Sequence, residues 1–272
     1  MLTKIALAQL FVEPGKVESN YFRGLKMIHE AAESGSHFIL FPELWTSGYP
    51  IESHNKVSLQ NAELITQLSQ IALEENIIIG GSFLLHEEGR FYNRYLLLTP
   101  ETSKLPHYDK IHLFRPLNED KLLSKGNTIA FCSIHSINLG LSICYDLRFP
   151  EMFRAYAANH IDLIVLAAEW PLSRIKQWKI LIQARAIENQ TFFAAVNCIG
   201  KTRIETFGGS SQLVDPFGNL LLSASESDEC LLTAECDLNK ASLYRDEFPV
   251  LQSQREDLFD IHQRVNKIPT ES

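Results

Sequence analysis

Residues 139–151 read LGLSICYDLRFPE. A largely apolar run leads into Cys144, polar and bulky side chains follow at once, and Pro150 has the fixed φ that suits the first turn of a helix. The stretch therefore reads as buried strand, sharp turn and helix, with a cysteine at the strand end. Such a cysteine has two readings. It is a small core residue, or it is a nucleophile that the sheet holds in place. The choice depends on what else the chain brings beside it.

Downstream, PEMFRAYAANH (150–160) is the helix, and DLIVLAA (162–168) is a strand apolar enough to be buried on both faces. SRIKQWKILIQARAIENQ (173–190) puts Ile175, Trp178, Ile182 and Ala186 on one helical face. TFFAAVNCI, GGSSQLVD and GNLLLSA follow as strands, the last two joined by the turn DPFGN, and ECLLTAECD closes the core. Upstream, KIALAQL is the first strand. The next helix has Ser19 as its N-cap, Phe22, Leu25, Ile28 and Ala32 on one face, and Gly35 as its stop. HFILFPE is a buried strand. SLQNAELITQLSQIALEEN is a helix that buries Leu64, Ile65, Leu68, Ile71 and Ala72. IIIGGSFLL and FYNRYLLLT flank an EEGR turn, and TIAFCSI and INLGLSI lead to Cys144. Strands alternating with helices predict an α/β fold of sheets covered by helices. No linker or short repeat breaks residues 1–272, so a single domain is expected. The apolar and aromatic residues of the tail predict that it docks.

The 272 residues carry a net charge of −8, which argues against nucleic acid or an anionic membrane as the main partner. The short apolar run at the N-terminus reads neither as a signal peptide nor as a membrane span. Cys132, Cys144, Cys198, Cys230 and Cys236 are few, odd in number and scattered. They predict no disulfide framework and a reducing, cytoplasmic setting. Neither CxxC nor HExxH occurs, and His107, His112 and His135 stand alone, so no metal site is expected.

A cysteine nucleophile needs a base, an oxyanion stabiliser and a sheltered site. Three charged residues interrupt apolar surroundings as Cys144 does: Glu43 after HFILFP, Lys110 in HYDKIHLF and Glu119 in PLNEDKLLSKG. Each alone also reads as a cap, a surface charge or a solvated loop residue. Together they carry more weight. LSICYDLRFPE resembles the nucleophile segment of the nitrilase, or carbon–nitrogen hydrolase, superfamily; FPELWTSGYP resembles its glutamate segment and YDKIHLF its lysine segment. Glu119, seven residues before Gly126, matches a second glutamate of many members. The order Glu, Lys, Glu, Cys is also the family's, and the likeness runs from KIALAQL to YRDEFP.

The resemblance implies a four-layer α-β-β-α sandwich and a Glu43, Lys110, Cys144 triad. Cys144 would attack an amide carbonyl, and Glu43 would move the protons. Lys110 would stabilise the oxyanion and favour the thiolate, with the Tyr145 backbone N–H as second donor. Glu119 would hold Lys110 or the substrate. No metal or organic cofactor is implied. Trp45, Tyr49, Glu169 and Trp170 adjoin the catalytic strand ends and are candidate pocket residues. Arg148 would bind a substrate carboxylate, or pair with Asp146 or Glu188. Arg185 and Glu188 are spaced for a local helical pair. Resemblance further implies a homodimer through helices 150–159 and 174–190 and a tail, from about residue 240, docked on the partner. CYDLRFPE and the Trp-Pro and RAIENQ segment are similar to the ω-amidase branch, which implies a terminal amide of a small 2-oxo acid, such as 2-oxoglutaramate, as substrate. A carbamoylase, an aliphatic amidase and a non-catalytic binding protein on the same fold remain the alternatives.

Overall fold

A computed structural model describes residues 2–49, 53–100, 105–255 and 265–268. The first half of the chain builds a sheet from β1 (Leu2–Gln9), β2 (Phe38–Leu40), β3 (Ile78–Glu87), β4 (Arg90–Leu98) and β5 (His107–Asp109). Helices α1 (Val17–Glu33) and α2 (His54–Glu74) connect its parallel strands, and the short α3 (Glu119–Leu122) follows it. The second half holds β6 (Ile129–Ile134), β7 (Ile137–Ile143), α4 (Pro150–Ala158), β8 (Leu163–Ala168), α5 (Ile175–Asn189) and β9 (Phe192–Asn197). A small hairpin, β10 (Ile199–Lys201) and β11 (Thr206–Gly208), precedes β12 (Gln212–Val214) and β13 (Leu220–Ser223). Then β14 (Cys230–Asp237) returns to pair with β1 in the first sheet, α6 (Asn239–Glu247) follows, and β15 (Val265–Ile268) lies beside β6. The sheet orders are β14-β1-β2-β3-β4-β5 and β13-β12-β9-β8-β7-β6-β15.

Side-chain alternation along the strands creates the layers. In the first sheet Ile5, Leu7, Phe38, Leu40, Tyr95 and Leu97 face the second sheet and share its core. Their neighbours Ala6, Ala8, Ile39, Ile79, Leu96 and Leu98 pack against Met27 and Ile28 of α1 and Leu68 and Ala72 of α2. On the far side, Phe153, Tyr156, Trp178, Ile182 and Ala186 of α4 and α5 cover the second sheet. The result is the expected α-β-β-α sandwich. Strand β2 runs parallel to β1 in the first sheet, and β7, β8 and β9 run parallel in the second, so the C-terminal ends of β7 and β8 lie side by side.

Two local expectations are corrected. Helix α1 starts at Val17, so Ser19 lies inside it and bonds Glu13 instead of capping. That start turns Phe22 outward to 58% exposure, and Tyr21, Gly24, Met27, Ile28 and Ala31 form the buried face. Gly24 is required there, because a Cβ would collide with the Trp45 ring.

The described tail docks on its own chain. Arg245 of α6 bonds Asp162 at 3.1 Å and the carbonyl of Ile161 at 3.0 Å, and β15 extends the second sheet. The remainder of the tail, 256–264 and 269–272, lies outside the described residues. Among the described residues, no helix is long and apolar enough to cross a membrane.

Candidate active site

Four strand ends converge. Glu43 lies in the turn after β2, Lys110 directly after β5, Cys144 directly after β7 and Glu169 directly after β8. Lys110 Nζ donates to Glu43 Oε1 at 2.7 Å and to Glu119 Oε1 at 2.9 Å. All three side chains are almost wholly buried. Their remaining acceptors are also filled. Glu43 Oε1 accepts from Asn93 Nδ2 at 2.7 Å, Glu43 Oε2 from the Glu169 backbone N–H at 3.0 Å, and Glu119 Oε2 from the Phe114 N–H at 2.8 Å. Burial of charge is costly unless its polar atoms find partners, and here the partners come from four segments, around residues 43, 93, 110–119 and 169.

Cys144 opens a 3₁₀ turn, Cys144–Arg148, and has φ of +43°, a conformation unfavourable for a residue with a Cβ. Asp146 holds it there. Its carboxylate accepts from the Ile143 N–H at 2.8 Å, Tyr108 Oη at 2.7 Å, His112 Nδ1 at 2.7 Å and the His112 N–H at 3.2 Å. Tyr108 sits on β5, two residues before Lys110, so Asp146 links the nucleophile's turn to the lysine's strand. Arg185 adds a bond to the Leu147 carbonyl at 3.0 Å, and it also forms the expected pair with Glu188 at 2.8 Å.

Burial alone would discharge Lys110, but the Glu119 and Glu43 carboxylates outweigh it and hold the ammonium well above its ordinary pKa. The Cys144 thiol is pushed well above its usual range, by burial first and by the Glu43 anion next; Lys110 only partly offsets them. The Lys110 charge does favour the thiolate, but burial and the Glu43 charge outweigh it. Burial, then the Glu43 charge, raises the Glu169 carboxyl well above the carboxylate range. Burial, opposed by Lys110, also raises Glu119.

The cleft is narrow, with about 30 Å³ of free volume, and is lined by Glu43, Glu119 and Cys144 at its floor and by Tyr49, Glu169 and Trp170 on its walls. Tyr145 and Arg148 reach it from the turn. Trp45 does not. It is fully buried behind Glu43, stacked on Phe41 with ring centroids 4.4 Å apart, because Gly24 and Gly81 leave it room there. Arg148 pairs with neither Asp146 nor Glu188, whose partners are elsewhere. It donates to Gln177 Oε1 at 2.8 Å and lies 4.7 Å over the Trp170 ring. Among the described residues, neither Glu169 oxygen has a hydrogen-bond partner of good geometry, although the Tyr49 backbone lies near enough to stabilise the anion slightly.

Sequence reading missed Asn93, Tyr108 and Asp146. Asn93 had a signal: a polar residue that breaks the apolar alternation of FYNRYLLL and is fully buried. Nothing in the sequence says that Tyr108 and Asp146 meet.

The carbon–nitrogen hydrolase family profile matches residues 4–246. The chain is 31% identical to a 2-oxoglutaramate amidase of Bacillus subtilis (strain 168), over 94% of this chain and 98% of the relative. It is 30% identical to the omega-amidase NIT2 of Mus musculus, over 96% and 98%. A CN-hydrolase superfamily protein from Xanthomonas campestris, solved with an arsenic adduct in its active site, superposes with a TM-score of 0.87 at 28% identity, over 93% of this chain and 97% of that one. The chain belongs to the carbon–nitrogen hydrolase family. It is a hydrolase of carbon–nitrogen bonds outside peptides.

Proposed function

We propose that the protein is a cysteine-dependent ω-amidase that hydrolyses the terminal amide of a small carboxylic acid, with 2-oxoglutaramate as the type substrate. The observation that carries this reading is Lys110 bonded to both Glu43 and Glu119 at the cleft floor that also holds the Cys144 thiol. The similarity to proteins named 2-oxoglutaramate amidase and omega-amidase supports the substrate class.

The chemistry follows from the proton inventory. Glu43 takes the Cys144 proton as Sγ attacks the amide carbon. An ammonium has three donors, and two of those of Lys110 are engaged by glutamates, so the third is left for the oxyanion. The Tyr145 N–H, at the start of a turn where such groups lack internal partners, is the second donor. As the C–N bond breaks, protonated Glu43 passes its proton to the leaving nitrogen, and ammonia departs. Glu43 then removes a proton from the attacking water, the thioester C–S bond breaks, and the proton returns to sulfur. The net change is amide plus water to acid plus ammonia. Glu119 acts through Lys110 as a positioning residue. Tyr49, Glu169, Trp170 and Arg148 contact substrate. The reaction needs neither metal nor organic cofactor.

The unpartnered Glu169 carboxyl favours one second reading, a carbamoylase, because a ureido group offers N–H donors to it. Ammonia release across 2-oxoglutaramate, succinamate, a simple aliphatic amide and an N-carbamoyl amino acid separates the two. Fast release from 2-oxoglutaramate that is abolished in Cys144→Ala is expected. Activity that persists in Cys144→Ala refutes the mechanism.

The working form is a homodimer. Ile187 of α5, Phe217 and Phe248 are exposed apolar residues close to one another: Phe217 packs at a tilt against Tyr244 with ring centroids 4.1 Å apart, and Gln190 bonds the Phe248 carbonyl. A second copy covers them, and sedimentation would report a dimer. All five cysteines are free thiols, which suits a reducing compartment such as the cytoplasm.

A further inference from the structure

The cleft is electrically divided. Its floor and one wall carry Glu43, Glu119 and Glu169 around a single lysine, and its rim carries Arg148 and Arg174. Four arginines elsewhere donate to carboxylates at hydrogen-bond distance, Arg23 to Glu13, Arg94 to Asp109, Arg185 to Glu188 and Arg245 to Asp162, whereas Arg154 donates to a backbone carbonyl and Arg115 stands 3.8 Å from Asp120. The two rim arginines belong with the second group but line the cleft. Among the described residues, Arg148 donates only to the neutral amide of Gln177. Arg174 lies 3.9 Å from Glu205, too far for a hydrogen bond, and its side chain is 40% exposed. The two guanidinium groups also repel: burial first, and the Arg174 charge in addition, lower the pKa of Arg148.

Local packing fixes where both groups stand. The Arg148 guanidinium lies 4.7 Å over the Trp170 ring, and the Trp170 indole N–H donates to the Arg174 carbonyl at 3.0 Å. One tryptophan thus contacts the Arg148 side chain and anchors the Arg174 backbone. Glu205, just before β11, also lines it. In a chain of net charge −8, two guanidiniums without a bonded carboxylate at the mouth of an acid-floored cleft are a recognition device for an anion.

We propose that Arg174 and Arg148 together clamp the substrate's carboxylate, and that Glu205 competes with that carboxylate for Arg174. The inference rests on the ω-amidase reading and deepens it. A substrate with an amide at one end and a carboxylate at the other lies with its amide toward Cys144 and its anion between the arginines. The device selects ω-amides of dicarboxylic acids over neutral amides of equal length. Arg174 and Arg148 are binding residues, and Glu205 tunes their strength.

The test uses two readouts on the full chain. The first is protection of Cys144 from iodoacetamide by succinate, followed by peptide mass. The second is ammonia release from succinamate and from butyramide, which puts a methyl where succinamate has its carboxylate. Arg174→Met should need about 10- to 100-fold more succinate for half-protection, and its kcat/KM for succinamate should fall by a similar factor, mainly through KM. Butyramide turnover should fall far less. Arg174→Lys should recover part of the loss, and Glu205→Gln should need less succinate than wild type. Equal losses on both amides, unchanged succinate protection in Arg174→Met, or no protection of wild type overturns the clamp. Wild type preferring butyramide overturns the ω-amidase reading, and succinate protection still judges the clamp separately.

Discussion

The two ends of the cleft are built differently. At the floor, Lys110, Glu43 and Glu119 are almost wholly buried, and their bonds of 2.7–2.9 Å to each other are supported by Asn93 and two backbone N–H groups. At the rim, Arg174 is partly exposed and 3.9 Å from its nearest carboxylate. The floor is preorganised, as charge stabilisation during bond breaking requires. The rim is adaptable, as recognition of a free carboxylate requires. Substrate choice can therefore change by substitution at the rim without disturbing the chemistry below.

The floor should fail hardest. Lys110→Ala leaves Glu43 and Glu119 buried without their cation, so activity should vanish and stability should drop by about 3–5 kcal/mol, measured by urea unfolding. A stable, active variant would contradict the assigned role. Asp146→Ala is next. It removes the carboxylate acceptor of the Tyr108 hydroxyl and of the Ile143 N–H and frees the strained turn, so a loss of about 2–3 kcal/mol is expected together with a lower kcat. Undiminished kcat would show that Cys144 does not need that brace.

Glu169 gives a gentler effect with a definite sign. Its folded pKa is raised, so between the ordinary carboxyl value and that raised value the folded state holds a proton that the unfolded state has lost. Stability therefore falls as pH rises through this window. Glu169→Gln should flatten that limb in melts taken from pH 4 upward; an unchanged slope would assign it to other groups. The smallest effect belongs to α1. Phe22→Ser, at an exposed site, should shift stability by no more than about 0.5 kcal/mol, whereas Tyr21→Ala on the buried face should cost several times more.

Strands, helices and their order were legible because alternation and apolar runs report burial directly: β7, β8 and α4 fall where LGLSI, DLIVLAA and PEMFRAY place them. The helix face of α1 was not, because Asn20 and Gly24 are buried for contacts with distant segments rather than for hydrophobicity. The pocket was half legible. Tyr49, Arg148, Glu169 and Trp170 line it, but Trp45, beside Glu43 in sequence, turns into the core.

The sequence by itself determined the strands and helices and their order, and supplied Glu43, Lys110, Glu119 and Cys144 at element ends, since period and chain order are local properties; the four-layer stacking came only from the family resemblance. Only the tertiary structure decided their state. How far the Cys144 thiol is raised depends on its burial and on the Glu43 charge beside it, and whether Arg148 and Arg174 meet a carboxylate at bonding distance depends on where Glu188 and Glu205 come to lie. Those are distances between residues far apart in the chain, and folding alone sets them.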